Sequence, residues 1–153
     1  KLCLEITEVG SVINLQAVQN FIEQVRSLGV RIALDDFGAG YSNFRYAMDL
    51  HADVIKIDGS IVKNICHSTE SHAVITAIVG LAHDLGCKCV AEWVEDLHTL
   101  REVKELGVDY VQGYLVSPAV ECERFLNLNS TLELMPDQNR ARLVQSVLES
   151  VSA

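Results

Sequence analysis

The stretch Arg31-Ile32-Ala33-Leu34-Asp35-Asp36-Phe37-Gly38-Ala39-Gly40-Tyr41-Ser42 joins an apolar run to two adjacent carboxylates and a glycine-bearing turn. The run 32–34 carries no charge, which predicts a strand that is buried on both faces. Asp35 and Asp36 follow where this strand leaves the core. Adjacent acids repel each other, and a divalent cation with oxygen ligands relieves the repulsion. An exposed loop with a solvated pair of acids fits this stretch equally well, so the rest of the chain must decide.

The composition indicates one domain with a sizeable core, since the chain has 153 residues and 49% of them are hydrophobic. Its net charge of −9 provides no general attraction for a nucleic acid polymer or an anionic membrane. No apolar run is long enough to span a bilayer. We therefore expect a cytoplasmic location, with any membrane anchor in other domains. Because the chain begins at Lys1 inside an apolar run, we expect it to be a piece of a longer protein.

The cysteines are odd in number and lack the spacing of a zinc knuckle; they are Cys3, Cys66, Cys87, Cys89 and Cys122. Most stand among apolar residues, which predicts small buried side chains in a reducing compartment. His67 and His72 flank a polar segment, and there we favour a polar loop over a metal role.

Apolar runs alternate with helical patterns along the chain. This alternation predicts an α/β fold with about five βα units, a parallel sheet and right-handed crossovers. The predicted strands are 2–7, 31–34, 53–58, 88–92 and 110–114, and the predicted helices are 14–28, 43–50, 72–85, 97–106 and 122–126. A linker at 127–136 then precedes an amphipathic C-terminal helix that follows Asp137.

One polar side chain stands at or near the carboxyl end of each predicted strand; these are Glu5, Asp35, Lys56, Glu92 and Gln112. In a parallel barrel these ends share one rim, where the βα loops build the active site. Each residue taken singly could be a solvated strand end, or part of an ion pair such as Lys56 with Asp58. Taken together, they favour a functional rim.

These motifs resemble those of EAL-domain proteins, which are bacterial signalling phosphodiesterases that open the second messenger cyclic di-GMP, and degenerate relatives that only bind it. The matching segments, in order, are Glu5-Ile6-Thr7-Glu8, Asp35 to Ser42, Lys56-Ile57-Asp58, Ala91-Glu92-Trp93-Val94-Glu95 and Gln112-Gly113-Tyr114. The resemblance covers 1–126 and implies part of a (β/α)₈ TIM-type barrel, with 127–153 as linker and C-terminal helix.

The resemblance also implies roles for single residues. The metal ligands of a two-ion Mg²⁺ or Mn²⁺ site would be Glu5, Asp35, Asp36 and Glu92, and the catalytic residues would be Lys56, Glu92 and Gln112. Glu8 would steady a loop that also meets a dimer partner, and this loop comprises Phe37, Gly38, Gly40, Tyr41 and Ser42. Asp58 and Glu95 would lie next to the substrate.

Departures from the family pattern lead to further expectations. The Glu-Ala-Leu triplet is absent, and a full barrel of this class needs about 250 residues. We therefore expect the chain alone to be inactive or very weak. We also expect it to form homodimers or larger assemblies, because an open sheet exposes an edge. Trp93 replaces a usual glycine and would crowd the rim, fill a gap or stack on a guanine. A receptor that binds cyclic di-GMP without hydrolysing it is the alternative.

Overall fold

The computed structural model describes residues 2–7, 14–39, 44–135 and 137–150. Five strands form one parallel sheet in chain order, which confirms the predicted α/β fold class. The strands are β1 (Cys3–Thr7), β2 (Arg31–Phe37), β3 (Val54–Ile57), β4 (Lys88–Ala91) and β5 (Tyr110–Val111). Compared with the prediction, β2 is three residues longer at its carboxyl end and β5 is shorter.

Helices connect consecutive strands and continue beyond β5. They are α1 (Leu15–Ser27), α2 (Phe44–Leu50), α3 (Gly59–Val62), α4 (Thr69–Asp84), α5 (Leu97–Glu105), α6 (Cys122–Leu126) and α7 (Gln138–Ser150). The short α3 and a 3₁₀ turn at Thr131–Leu134 inside the expected linker were not predicted. Both begin at a side-chain cap, Asp58 and Ser130, a local signal that is weaker than a long apolar stripe.

The core lies against the middle of the sheet, where Ile32, Leu34, Ile55 and Ile57 are almost fully buried. Strands that are buried on both faces need neutral side chains throughout, which explains the apolar runs. Charged groups therefore fall outside the apolar segments 32–34, 54–55 and 89–91.

The C-terminal helix packs on the rest of the molecule through α5. Val144 and Val147 of α7 are buried, and Lys104 Nζ of α5 donates to the carbonyl oxygen of Val147 at 2.8 Å. Leu143 and Leu148, from the same predicted apolar stripe, stay half exposed.

The cysteines only partly follow the prediction of burial. Cys87 and Cys89 are buried, Cys66 is half-buried, and Cys3 and Cys122 are exposed; all five are free thiols. Among the described residues, no helix is both long enough and apolar enough to cross a membrane.

Candidate metal centre

The backbone of β2 is irregular at the two adjacent acids. Its register against β3 shifts between Leu34 and Phe37, so that three steps along β2 match two along β3, and Asp36 has φ +54°. This is the signature of a β-bulge, which re-aims side chains that would otherwise alternate between the two faces of the sheet. The bulge therefore allows consecutive carboxylates to face one centre.

Three carboxylates meet at this bulge. Ligand oxygens of Asp35, Asp36 and Glu92 all lie within 4.8 Å of one another, and they form the compact ligand group found among the described residues. Asp36 is exposed, Asp35 is half-buried and Glu92 is buried. The group is thus exposed to solvent at Asp36 and enclosed by protein at Glu92.

Lys56 of β3 contacts two carboxylates of this group and a third from β1. Its Nζ lies 2.7 Å from Asp35 Oδ1, 2.7 Å from Glu92 Oε1 and 2.9 Å from Glu5 Oε2. Burial disfavours the ammonium, but these hydrogen bonds outweigh that effect and raise the pKa of Lys56. Lys56 therefore stays charged and binds one carboxylate from β1, one from β2 and one from the residue that follows β4.

Negative charge remains in excess at this rim, because four carboxylates face one ammonium. Burial raises the pKa of Glu92; the bond to Lys56 opposes the rise, and the charges of Asp35 and Asp36 add to it. A divalent cation would relieve this repulsion. An all-oxygen donor set suits Mg²⁺, Mn²⁺ or Ca²⁺, so the residues present fit such an ion.

Gln112 and Glu95 line a neighbouring cavity of about 760 Å³, together with Trp93. The Gln112 side chain is exposed, while its backbone joins β5 to β4: its N–H donates to Ala91 at 2.9 Å and its carbonyl accepts from Val94 at 3.0 Å. Both predicted residues thus lie beside the carboxylate group and not within its compact set of three.

Asp58 has a local role in the structure. Its Oδ1 accepts hydrogen bonds from the amide of Ser60, at 2.9 Å, and from the Ser60 hydroxyl, which caps α3. The alternative pairing of Lys56 with Asp58 is therefore wrong, since Lys56 binds the carboxylates of the other strands.

The segment expected to form a loop after the acids begins later than predicted. Phe37 is the last residue of β2 and is 2% exposed, so its side chain belongs to the core. Gly38 follows at φ +100°, with Ile61 and Ile78 close beneath it. The other members of this group, Glu8, Gly40, Tyr41 and Ser42, lie outside the described residues.

The indole of Trp93 lies over the backbone of Gly59. A Cβ added at Gly59 would stand 2.2 Å from the ring, so only glycine fits beneath it. Trp93 itself has φ +53° and is 55% exposed, with one ring face covered and the cavity beside it. This contact with Gly59 was not predicted, because nothing local in the sequence marks that glycine.

The family model named EAL domain matches residues 1–119. The chain belongs to the EAL-domain family. It is 34% identical over 128 residues to the cyclic di-GMP phosphodiesterase PdeB of Shewanella oneidensis. The aligned region covers 81% of this chain and 15% of PdeB. The chain thus spans about a sixth of the length of the curated EAL relatives it matches.

Solved EAL structures share the fold. The EAL domain of Mycobacterium smegmatis DcpA superposes with TM-score 0.76 at 30% identity, covering 86% of this chain and 57% of that one. Klebsiella pneumoniae BlrP1, solved with manganese and cyclic di-GMP, gives TM-score 0.71 at 32% identity, covering 76% of this chain and 30% of that one. The sheet described here therefore corresponds to part of a TIM-type barrel.

Proposed function

We propose that this EAL domain forms part of a metal-dependent phosphodiesterase that hydrolyses cyclic di-GMP to the linear dinucleotide. One observation carries the proposal: the carboxylates of Asp35, Asp36 and Glu92 converge beside the buried ammonium of Lys56. Relatives named as cyclic di-GMP phosphodiesterases support the choice of substrate.

Two Mg²⁺ or Mn²⁺ ions, when bound, would supply an acidic water and charge compensation for the phosphodiester. The chain's own residues hold and orient the reactants. Asp35, Asp36, Glu92 and Glu5 would provide the oxygen ligands. Lys56 keeps three of these side chains fixed, and its ammonium neutralises negative charge that develops on the phosphate oxygens.

Gln112, Glu95 and Trp93 would contact the nucleotide from the adjoining cavity, which is large enough for a purine nucleotide. The exposed indole offers a flat apolar surface for a guanine. In this proposal Asp58 acts through the backbone, because its carboxylate caps the helix that follows Lys56.

The experiment compares this 153-residue chain with a closed EAL barrel that contains it. We expect linear dinucleotide from the closed barrel with Mn²⁺ or Mg²⁺, loss of at least about a hundredfold in turnover in Lys56→Met, and little or no product from the 153 residues alone. Asp53→Asn, at the opposite end of the sheet, is the matched control. A folded, closed barrel that yields no linear product with either ion would refute the enzyme.

A receptor without hydrolysis is the second candidate, and the exposed Trp93 beside the cavity favours it. Calorimetry separates the two functions. Binding that needs no metal, is weakened by Trp93→Gly and is never followed by hydrolysis would support the receptor.

We also propose that the chain self-associates in isolation. Within the described sheet, β1 and β5 form the two edges, and Leu2 and Tyr110 are exposed there. Unpaired strand edges with apolar side chains favour pairing between copies. Light scattering at micromolar concentration should report dimers or larger species, whereas a uniform monomer would contradict this.

A further inference from the structure

A second cluster of side chains lies away from the carboxylate rim, where the segment after α3 meets the first turns of α4 and α5. Cys66 Sγ and His98 Nδ1 stand 2.6 Å apart, although they are 32 positions apart in the chain. His72 and Glu102 line the same cavity, which measures about 360 Å³. A thiol, three imidazoles (that of His67 included) and a carboxylate thus share one concave surface.

The backbone around these side chains is well fixed. Asp96 Oδ1 accepts from the amides of His98, at 2.8 Å, and Thr99, at 2.9 Å. Ser68 caps α4, and its carbonyl accepts from the amide of His72 at 3.0 Å. Two capped helix starts therefore fix the backbone that carries the two imidazoles.

Spacing along α5 brings a further ligand to the same face. Glu102 follows His98 by four residues, which places both on one side of the helix, one turn apart. Glu102 is half-buried and points into the shared cavity, whereas His98 is exposed and free to turn its ring. Two ligands on one helix and one from each neighbouring segment therefore line the same cavity.

We propose that Cys66, His72, His98 and Glu102 bind one Zn²⁺ ion that ties the segment after α3 to α4 and α5. Sulfur, nitrogen and carboxylate oxygen together select a borderline ion such as Zn²⁺, whereas the oxygen-only rim selects harder ions. This site is separate from the function proposed above.

The ion requires the side chains to rearrange, because among the described residues no three of these four donors lie within 4.8 Å of one another. With Zn–S of about 2.3 Å and Zn–N of about 2.0 Å in a tetrahedron, sulfur and nitrogen stand about 3.5 Å apart. The Cys66–His98 pair therefore opens by about 1 Å, and His72 and Glu102 rotate towards it. The exposure of His98 permits this movement without disturbing the core.

The Cys66 thiol is a poor nucleophile when no cation is bound. Burial raises the pKa of Cys66; a hydrogen bond with Thr99 opposes the rise, and the carboxylates of Glu102 and Asp96 add to it. Without a cation the thiol stays protonated and unreactive. A bound Zn²⁺ reverses this balance because a coordinating thiol loses its proton.

Titration of the 153-residue chain with Zn²⁺ and then with Cd²⁺, in excess Mg²⁺, tests the site. We expect one equivalent of Zn²⁺ to bind, and Cd²⁺ to give the ultraviolet charge-transfer band of a metal–thiolate bond. Cys66→Ser should abolish the band, and the surface change His98→Gln should weaken Zn²⁺ binding at least about tenfold.

Two controls separate this site from other metal-binding groups. Cys122→Ser removes an exposed thiol elsewhere and should leave the band intact. Asp35→Asn alters the carboxylate rim and should also leave it intact. A Cd²⁺ band that survives Cys66→Ser, the absence of any thiolate band in the parent chain, or unchanged Zn²⁺ affinity in His98→Gln would each overturn the proposal.

Discussion

The two ends of the same parallel sheet treat their acidic residues in opposite ways. At the amino end, Asp53 Oδ2 accepts from the Ile32 amide at 2.8 Å and pairs with Arg26 at 3.3 Å. Asp109 accepts from the Cys89 amide at 2.9 Å and pairs with Lys88 at 2.5 Å. Each acid there has a backbone donor and a cation of its own.

At the carboxyl end, several carboxylates share one lysine. Lys56 contacts Glu5, Asp35 and Glu92, while Asp36 adds a fourth negative charge beside them. Acids that are matched one to one join neighbouring strands, whereas acids in excess repel each other until a further cation arrives. The amino end thus has acids that the chain itself neutralises, whereas negative charge stays in excess at the carboxyl end.

The largest expected effect is the loss of the shared lysine. Lys56→Met should lower the free energy of unfolding by about 3 to 5 kcal/mol in metal-free protein, because it leaves buried carboxylates without a counter-charge. Mn²⁺ should restore part of the loss by replacing the ammonium. Urea unfolding with and without Mn²⁺ measures both effects.

Lys88→Met is the control for this change, since it removes a lysine from the other end. Lys88 is an exposed partner of Asp109, so its loss should lower the free energy of unfolding far less than Lys56→Met does, and Mn²⁺ should not restore it. Equal losses in the two variants would contradict the distinction between the two ends.

The next effect concerns the metal itself. Mn²⁺ at a hundred times its dissociation constant should raise the free energy of unfolding by about 2.7 kcal/mol, and a chelator should reverse the gain. Asp35→Asn should remove most of this gain, because it deletes a ligand at the bulge. Asp53→Asn, at the amino end, should keep it. Thermal unfolding at matched ion concentrations measures the gain in both variants. Equal gains in the two variants would contradict the role of Asp35 as a ligand.

The smallest expected effect lies at the amino end. Burial tends to raise the pKa of Asp109, but hydrogen bonds from the Cys89 amide, Lys88 and His83 outweigh it, so the pKa is lowered. Asp109→Asn should therefore lower the free energy of unfolding by about 1 to 2 kcal/mol at pH 7.

The pH dependence follows from the direction of that shift. The stabilisation by the ionised Asp109 carboxylate is complete above the unfolded-state pKa of about 3.9. It is lost as the pH falls through the lower folded-state pKa. The difference between wild type and Asp109→Asn should therefore shrink below about pH 4. Asp84→Asn, an exposed acid on α4, serves as the charge-matched control. A difference that stays constant down to pH 2 would argue against this ion pair.

Most of the fold could be predicted from the sequence because its signals are local. Apolar runs marked the five strands, and Asn14 and Asp96 cap the start of a helix through their own side chains. The start of α4 at Thr69, capped by Ser68, is three residues earlier than predicted. Asp35 and Glu92 were located by where an apolar run stopped, although β2 continues to Phe37 beyond Asp35.

Other features depended on neighbours that are distant in sequence. The choice of Glu5, Asp35 and Glu92 over Asp58 as partners of Lys56 is decided by adjacent strands. The fit of Trp93 over Gly59 is likewise a contact between two loops. Neither could be predicted from residue type or periodicity.

Residue types and their order specify a parallel α/β sheet whose acids follow the apolar runs, because a segment that is buried on both faces excludes charge. How those acids meet depends on contacts between strands. The bulge at Asp36 exists because β2 must pair with β3 on both sides of an extra residue, and this pairing turns consecutive side chains towards one centre.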